Sequence, residues 1–151
     1  MPRILLTVSH LQQQTEADCL PVCAQMVMTN LGFAVSYSEL INLFDTKSFG
    51  TPFRNIKRLE QLGASVTIEH LALAEIEANL LARIPVVACV HTADLGYWSR
   101  AVDHVVVVVG VDENQVYVND PSLSTGQQPV PHTEFELAQL HYDNLCAIIQ
   151  R

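Results

Sequence analysis

Of the four cysteines in the sequence, at positions 19, 23, 89 and 146, Cys19 has the setting of a nucleophile. A thiol attacks as the thiolate, and the unpaired N–H groups and dipole at a helix N-terminus favour that negative charge. The apolar residues Val22, Cys23, Met26, Val27 and Leu31 recur at helical spacing, Pro21 suits a first turn and Gly32 a C-terminal cap. A helix over 20–31 therefore starts beside Cys19. Glu16, Ala17 and Asp18 before it are mostly polar, which sets Cys19 at a boundary, whereas most lone cysteines are buried and structural. Cys23, one turn deeper, joins the apolar stripe and is assigned to the core. A zinc site on Cys19 and Cys23 lacks the second compact ligand pair that tetrahedral sites use, so neither a metal nor a cofactor is expected.

A nucleophilic thiol needs a base. Of six histidines, His10, His70, His91, His132 and His141 fall in loops, at element ends or in polar stretches, where a solvated surface role suffices. His104 opens the run His104-Val105-Val106-Val107-Val108-Val109, whose β-branched residues predict a strand buried on both faces that holds the ring rigidly. Rigid placement suits a general base, although a core histidine satisfied by a backbone carbonyl is an equally good reading of that residue alone. The run Val116-Tyr117-Val118-Asn119-Asp120-Pro121 tips the balance. In an antiparallel hairpin its polar end returns to the level of His104, where a carboxylate fixes the tautomer and stabilises the imidazolium.

The hairpin register tests this triad. A simple two-residue loop at Glu113-Asn114 pairs Val107 with Asp120 and turns the carboxylate away from His104, because side chains alternate along a strand. A five-residue loop over 110–114 pairs Val109 with Gln115 and sets His104 opposite Asp120. An odd-length connection or a bulge near Gly110 is therefore predicted. Asp103 adjoins His104 but points to the other face, and Asp18 is read as a cap or loop hydrogen-bonder. Acyl transfer further requires donors aimed at the developing oxyanion: the Cys19 N–H is one, and a neutral carboxamide suits the second. Gln12, Gln13 and Gln14 all closely precede Cys19, and chemistry alone does not choose among them or against a surface glutamine run.

The elements that must hold these residues follow an order. A short edge strand or extended arm over 4–8 leads through a polar loop to the Cys19 helix. Further helices are predicted over 37–43 after Ser36, over 52–62 closed by Gly63, and over 73–81, with a strand over 65–69 between the last two. Strands over 85–90, 104–112, 116–119 and 146–149 complete the chain. No repeat or linker interrupts it, so residues 1–151 read as a single α+β domain, helix-rich in its first half and strand-rich in its second, with a cleft between two lobes. Tyr97 and Trp98, in the stretch 91–101 before the histidine strand, suit either substrate contact or simple packing.

Bulk composition narrows the function classes. With 151 residues, 49% of them hydrophobic and 16% charged, the chain can build one substantial core. A net charge of −8, relieved only by the cluster Arg54, Lys57 and Arg58, argues against nucleic acid and leaves peptides as acceptable partners. The apolar run at the amino terminus is too short for a signal peptide, and Val105–Val111 is too short to span a bilayer as a helix. A cytoplasmic protein with reduced thiols is expected.

The segments Gln13-Gln14-Thr15-Glu16-Ala17-Asp18-Cys19 and Cys23-Ala24-Gln25-Met26-Val27, followed by Asp103-His104-Val105-Val106-Val107 and Asn119-Asp120-Pro121, resemble the signature of the bacteriocin-processing cysteine peptidases. These segments stand in the same order and extend over most of the chain. The resemblance implies a papain-like fold, with a helical first lobe and an antiparallel β-sheet second lobe, that removes leader peptides after a double glycine. It also implies that Gln13, six positions before the nucleophile, supplies the oxyanion hole. Many relatives are domains of peptide-export transporters, which makes such a transporter and a double-glycine leader the implied partners. This chain stops at Arg151, leaving a stand-alone enzyme and an excised domain both open. Leu20-Pro21 stand where the family usually has glycine, an expected source of narrowing at the cleft. The expected activity is a cysteine peptidase using Cys19, His104, Asp120 and Gln13. An acyltransferase or amidase with the same triad and a non-catalytic peptide-binding module are the alternatives.

Overall fold

In the computed structural model, which describes residues 3–151, the chain opens with β1 (Ile4–Leu5), α1 (Cys19–Asn30) and α2 (Tyr37–Leu43). A run of 3-10 turns (Phe53–Leu62), β2 (Ser65–His70), α3 (Leu73–Leu81) and β3 (Val86–His91) follow. The remainder is a short 3-10 turn (Thr92–Asp94), β4 (Asp103–Val111), β5 (Gln115–Asn119), β6 (Gln128–Pro131), α4 (His132–Leu140) and β7 (Leu145–Gln150). The strands form one antiparallel sheet in the order β2-β7-β3-β4-β5-β6, with β1 paired to the far end of β4. This α+β arrangement is the papain-like one, although β2 from the first half joins the sheet and α4 from the second half covers it.

Strand β4 is the keel. Eight of its nine residues are buried, and α1 packs against it, with the Cys23 thiol donating to the Val105 carbonyl at 3.4 Å. Each buried valine of the run Val105 to Val109 contributes about 1.5–3 kcal/mol. Core packing therefore fixes the strand independently of anything His104 does at its start. Cys23 belongs to this core, as its place in the helical stripe implies.

The β4–β5 hairpin has the tight turn together with the bulge predicted near Gly110, and not the five-residue loop that pairs Val109 with Gln115. Its tip is a two-residue turn at Glu113-Asn114, with Asp112 N–H donating to Gln115 O at 2.9 Å, and Val111 pairs with Val116 and Gly110 with Tyr117. A bulge at Val109 then shifts the register, so that Val108 faces Val118 and Val107 faces Asn119. One extra residue restores the parity that the tight turn alone would break, and Asp120 turns to the same side as His104. Gly110 sits at the bulge because a Cβ there would lie 2.6 Å from the Ile4 carbonyl oxygen of β1.

Several elements depart from expectation. Only Ile4 and Leu5 of the amino-terminal segment form a strand, though Leu6 N–H still reaches Val109 O at 2.8 Å. The 53–62 helix is wound as 3-10 turns while its side chains serve α2: Asn55 donates to Phe44 O at 2.9 Å and Arg58 to Leu43 O at 3.1 Å, satisfying orphan carbonyls. Neither β6 nor α4 was expected. Pro129 and Pro131 obscure β6, which tolerates them as the edge of the sheet. In α4 the apolar residues do not keep to one side, Phe135 and Ala138 being buried while Leu137 and Leu140 are exposed.

Candidate active site

The approach to α1 is organised by Asp18. Its buried carboxylate accepts from the N–H groups of Gln14 and Thr15 (both 3.0 Å), the Thr15 hydroxyl (3.1 Å) and the Tyr37 hydroxyl (2.7 Å). Tyr37 is presented by α2, whose start is fixed by reciprocal hydrogen bonds between Ser36 and Glu39. Asp18 is thus a loop hydrogen-bonder and not a side-chain cap, and the first amides of α1 carry no such cap. Cys19 is half-buried at this open helix end and lines a cleft. Leu20 and Pro21 turn inward into the core, Leu20 being 1% exposed, so the residues expected to narrow the cleft do not line it.

The amino-terminal arm reaches the same place because it is sewn to β5 and the loop after it. Asn119 Nδ2 donates to Val8 O (3.0 Å), His10 Nε2 to Leu123 O (2.7 Å) and Gln13 N–H to Pro121 O (2.7 Å). Gln13 consequently stands on the cleft wall with His104, Trp98 and Ser122. One Nε2–H of Gln13 donates to Thr15 O at 2.7 Å, while its Oε1 is buried without a partner.

His104 is 6% exposed, and its Nε2 lies 2.7 Å from Asp120 Oδ1. A carboxylate only accepts, so Nε2 carries the proton. Asp120 is fully buried yet saturated with donors. Oδ1 also receives the Ser122 N–H (2.9 Å) and hydroxyl (2.7 Å), and Oδ2 receives the Tyr97 hydroxyl (2.6 Å) and the Trp98 indole N–H (2.9 Å). The Trp98 ring also meets the imidazole edge-on, with centroids 4.9 Å apart. Burial alone would raise the Asp120 carboxyl, but the bonds from His104, Tyr97 and Ser122 hold it well below the usual carboxylate range. Burial would lower His104, and hydrogen bonds and charge from Asp120 and Cys19 overcome this, raising it to about 9. Tyr97 is pushed far up by burial and by Asp120, which keeps its hydroxyl a donor.

The cleft consists of two adjoining depressions of about 660 and about 320 Å³ that share Glu16, Phe49, Asp103 and His104. Gln13, Arg100 and Ser122 make the larger polar. Cys19, Phe53, Val105 and Leu145 line the smaller and make it more apolar. Phe49, 86% exposed, stands over both. Glu16 and Arg100 form an ion pair of 2.7 Å on the rim.

Of the four residues singled out from sequence, Cys19, His104 and Gln13 line this region, and Asp120 lies buried against His104. Asp103 bonds instead to the Tyr142 hydroxyl. Tyr97 and Trp98 turn out to donate to Asp120, Trp98 lining the cleft as well, and Ser122 was not foreseen. The Asp120-Pro121-Ser122 sequence did carry that signal, since an aspartate side chain commonly binds the backbone two residues on. The remaining histidines are not simply solvated: His132 Nε2 donates to Asp112 O at 2.8 Å, and His91 and His141 stack on each other.

A cysteine at a helix start thus shares a cleft with an imidazole that a buried carboxylate orients near the start of an inner strand of the sheet, an arrangement suited to cysteine-nucleophile chemistry. Comparison with known sequences agrees: residues 7–146 match the peptidase C39 family. The chain belongs to that family and is a cysteine peptidase, a hydrolase. Among solved structures it is similar to a C39-like peptidase from Bacillus anthracis, with a TM-score of 0.85 at 16% identity, covering 100% of this chain and 98% of the other. The peptidase domain of Streptococcus ComA, a bifunctional ABC transporter of a quorum-sensing pathway, gives a TM-score of 0.76 at 21% identity, with 95% and 98% covered. A double-glycine-motif protease from an AMS/PCAT transporter, solved with its leader peptide, gives 0.71 at 18% identity, with 99% and 98% covered. No curated protein matches the chain. Among the described residues, no helix is long and apolar enough to cross a membrane.

Proposed function

We propose that residues 1–151 form one peptidase domain that removes leader peptides after small residues, a double glycine above all, through a Cys19-His104-Asp120 triad. The observation that carries this reading is the buried 2.7 Å contact between His104 Nε2 and Asp120 Oδ1, with Cys19 lining the same depression as that imidazole. With Nε2–H committed to Asp120, Nδ1 is the nitrogen left to exchange a proton with the Cys19 thiol. The thiolate attacks the scissile carbonyl, and the imidazolium then protonates the leaving amine. Water, deprotonated by His104, hydrolyses the acyl-enzyme and regenerates the thiol. The Cys19 N–H and the free Nε2 hydrogen of Gln13 are the donors proposed for the oxyanion.

The likeness to the transporter peptidase domains and to the leader-peptide complex supports the substrate class, and supports a peptide-export transporter as the source or neighbour of that substrate. A cleft with a polar and a more apolar half suits a peptide segment. The test is to incubate the protein with a random peptide library and with a double-glycine leader peptide, and to map products by mass spectrometry against a Cys19→Ala control. Cleavage after small residues, absent from the variant and with water as the acceptor, is expected. Undiminished cleavage by Cys19→Ala, or transfer to an amine in place of hydrolysis, refutes the proposal.

A further inference from the structure

Beside the cleft but outside its lining, the end of β3, the 3-10 turn after it and the end of α4 bring His91, Asp94 and His141 together. One ring nitrogen of each histidine and a carboxylate oxygen of Asp94 all lie within 4.8 Å of one another. His141 Nε2 is 2.8 Å from Asp94 Oδ2, and the two imidazoles stack with centroids 4.5 Å apart and planes 24° from parallel. Protein groups satisfy only part of this cluster. His91 Nδ1 is buried and has no hydrogen-bond partner, so this imidazole keeps an unsatisfied polar nitrogen. A shallow depression of about 240 Å³ lined by Asp94, Leu137, Leu140 and His141 gives access from solvent.

The geometry points to a divalent transition-metal site, of the zinc class, held by His91, Asp94 and His141. Two neutral imidazoles and one carboxylate form the donor set that borderline cations select, and three protein ligands leave a position for water. Zinc bonds of about 2.0–2.2 Å place tetrahedral donors roughly 3.3 Å apart. The 2.8 Å Asp94–His141 pair opens slightly and the remaining donors draw in, movements available to side chains that are 28% and 49% exposed. These ligands are unrelated to the Cys19 and Cys23 pair. The ion's consequence is mechanical. Asp94 lies just before Tyr97 and Trp98, which hydrogen-bond Asp120, and Gly96 N–H already donates to Glu134 Oε1 of α4 at 2.8 Å. A bound ion replaces the Asp94–His141 hydrogen bond by ligand bonds that also draw in His91, fastening this segment to the ends of α4 and β3 and so positioning the groups that hold Asp120.

The experiment uses the Cys19→Ala protein, so that the reactive thiol cannot bind the ion. After chelator treatment it is titrated with Zn²⁺ by calorimetry and with Co²⁺ by absorption. One ion per chain is expected, with visible Co²⁺ bands but no thiolate charge-transfer band. Affinity should fall at least about tenfold in added His141→Ala or Asp94→Asn. Circular dichroism of these variants should match the parent, since both side chains are partly exposed. Slower amide exchange across 92–98 on loading should accompany binding. The absence of a saturable site, a thiolate band, or affinity retained in both variants overturns the inference.

Discussion

Replacing Asp120 by asparagine removes the charge opposite His104 while keeping the shape, and its consequences can be worked through. The imidazole is faced by Asp120 and Cys19, while burial opposes its charge. Its rise from 6.5 to about 9 corresponds, at about 1.4 kcal/mol per pH unit, to on the order of 3 kcal/mol of stabilisation of the charged ring. Because the folded value is raised, that stability is fully present below pH 6.5 and is lost as pH rises through about 9. The Asp120 carboxyl is depressed, so its contribution is present above the ordinary carboxylate range and is lost as pH falls through its lowered value. The stability difference between wild type and Asp120→Asn in urea should therefore be greatest near pH 6 and shrink by up to about 3 kcal/mol above pH 10, where the share from the other donors to Asp120 remains. In parallel, kcat/KM of Asp120→Asn should fall by roughly 10³–10⁴, and the alkaline limb of its profile, near 9 in wild type, should move down towards 6.5. A stability difference that stays constant from pH 6 to pH 10, or an alkaline limb that does not move, refutes the reasoning.

Removing single donors to Asp120 should act more gently: Trp98→Phe and Ser122→Ala should each lower kcat by about tenfold with KM little changed, as steady-state kinetics would show. Phe49→Ala, at an 86% exposed position over the cleft, should raise KM for peptides while shifting stability by less than about 0.5 kcal/mol. At the bulge, Gly110→Ala puts a Cβ 2.6 Å from the Ile4 carbonyl oxygen, and urea unfolding should register a loss of about 1–3 kcal/mol as β1 is displaced.

How far the sequence revealed this site depended on the range of each signal. The Cys19 helix and the valine strand are local patterns, and both emerged within a residue or so of their observed ends. Alternation along β4 and β5 demanded a parity change near Gly110, and the bulge at Val109 supplies it; a tight turn with a bulge and a wider loop have the same parity, so pattern alone left both open. The donors Tyr97 and Trp98 stand more than twenty residues from Asp120, with no periodicity linking them to it. His91 and His141, fifty residues apart, meet only because α4 folds against β3, and α4 itself was hidden by its scattered apolar residues.

The most direct test of the central claim is intact-mass spectrometry after treatment near neutral pH with a peptide vinyl sulfone ending in Gly-Gly. A single adduct mapping to Cys19 is expected in wild type, forming far more slowly in His104→Ala and absent from Cys19→Ala. Cys23, Cys89 and Cys146 are buried and should remain unmodified. An adduct on one of those three thiols, or equal labelling of wild type and His104→Ala, would contradict the assignment.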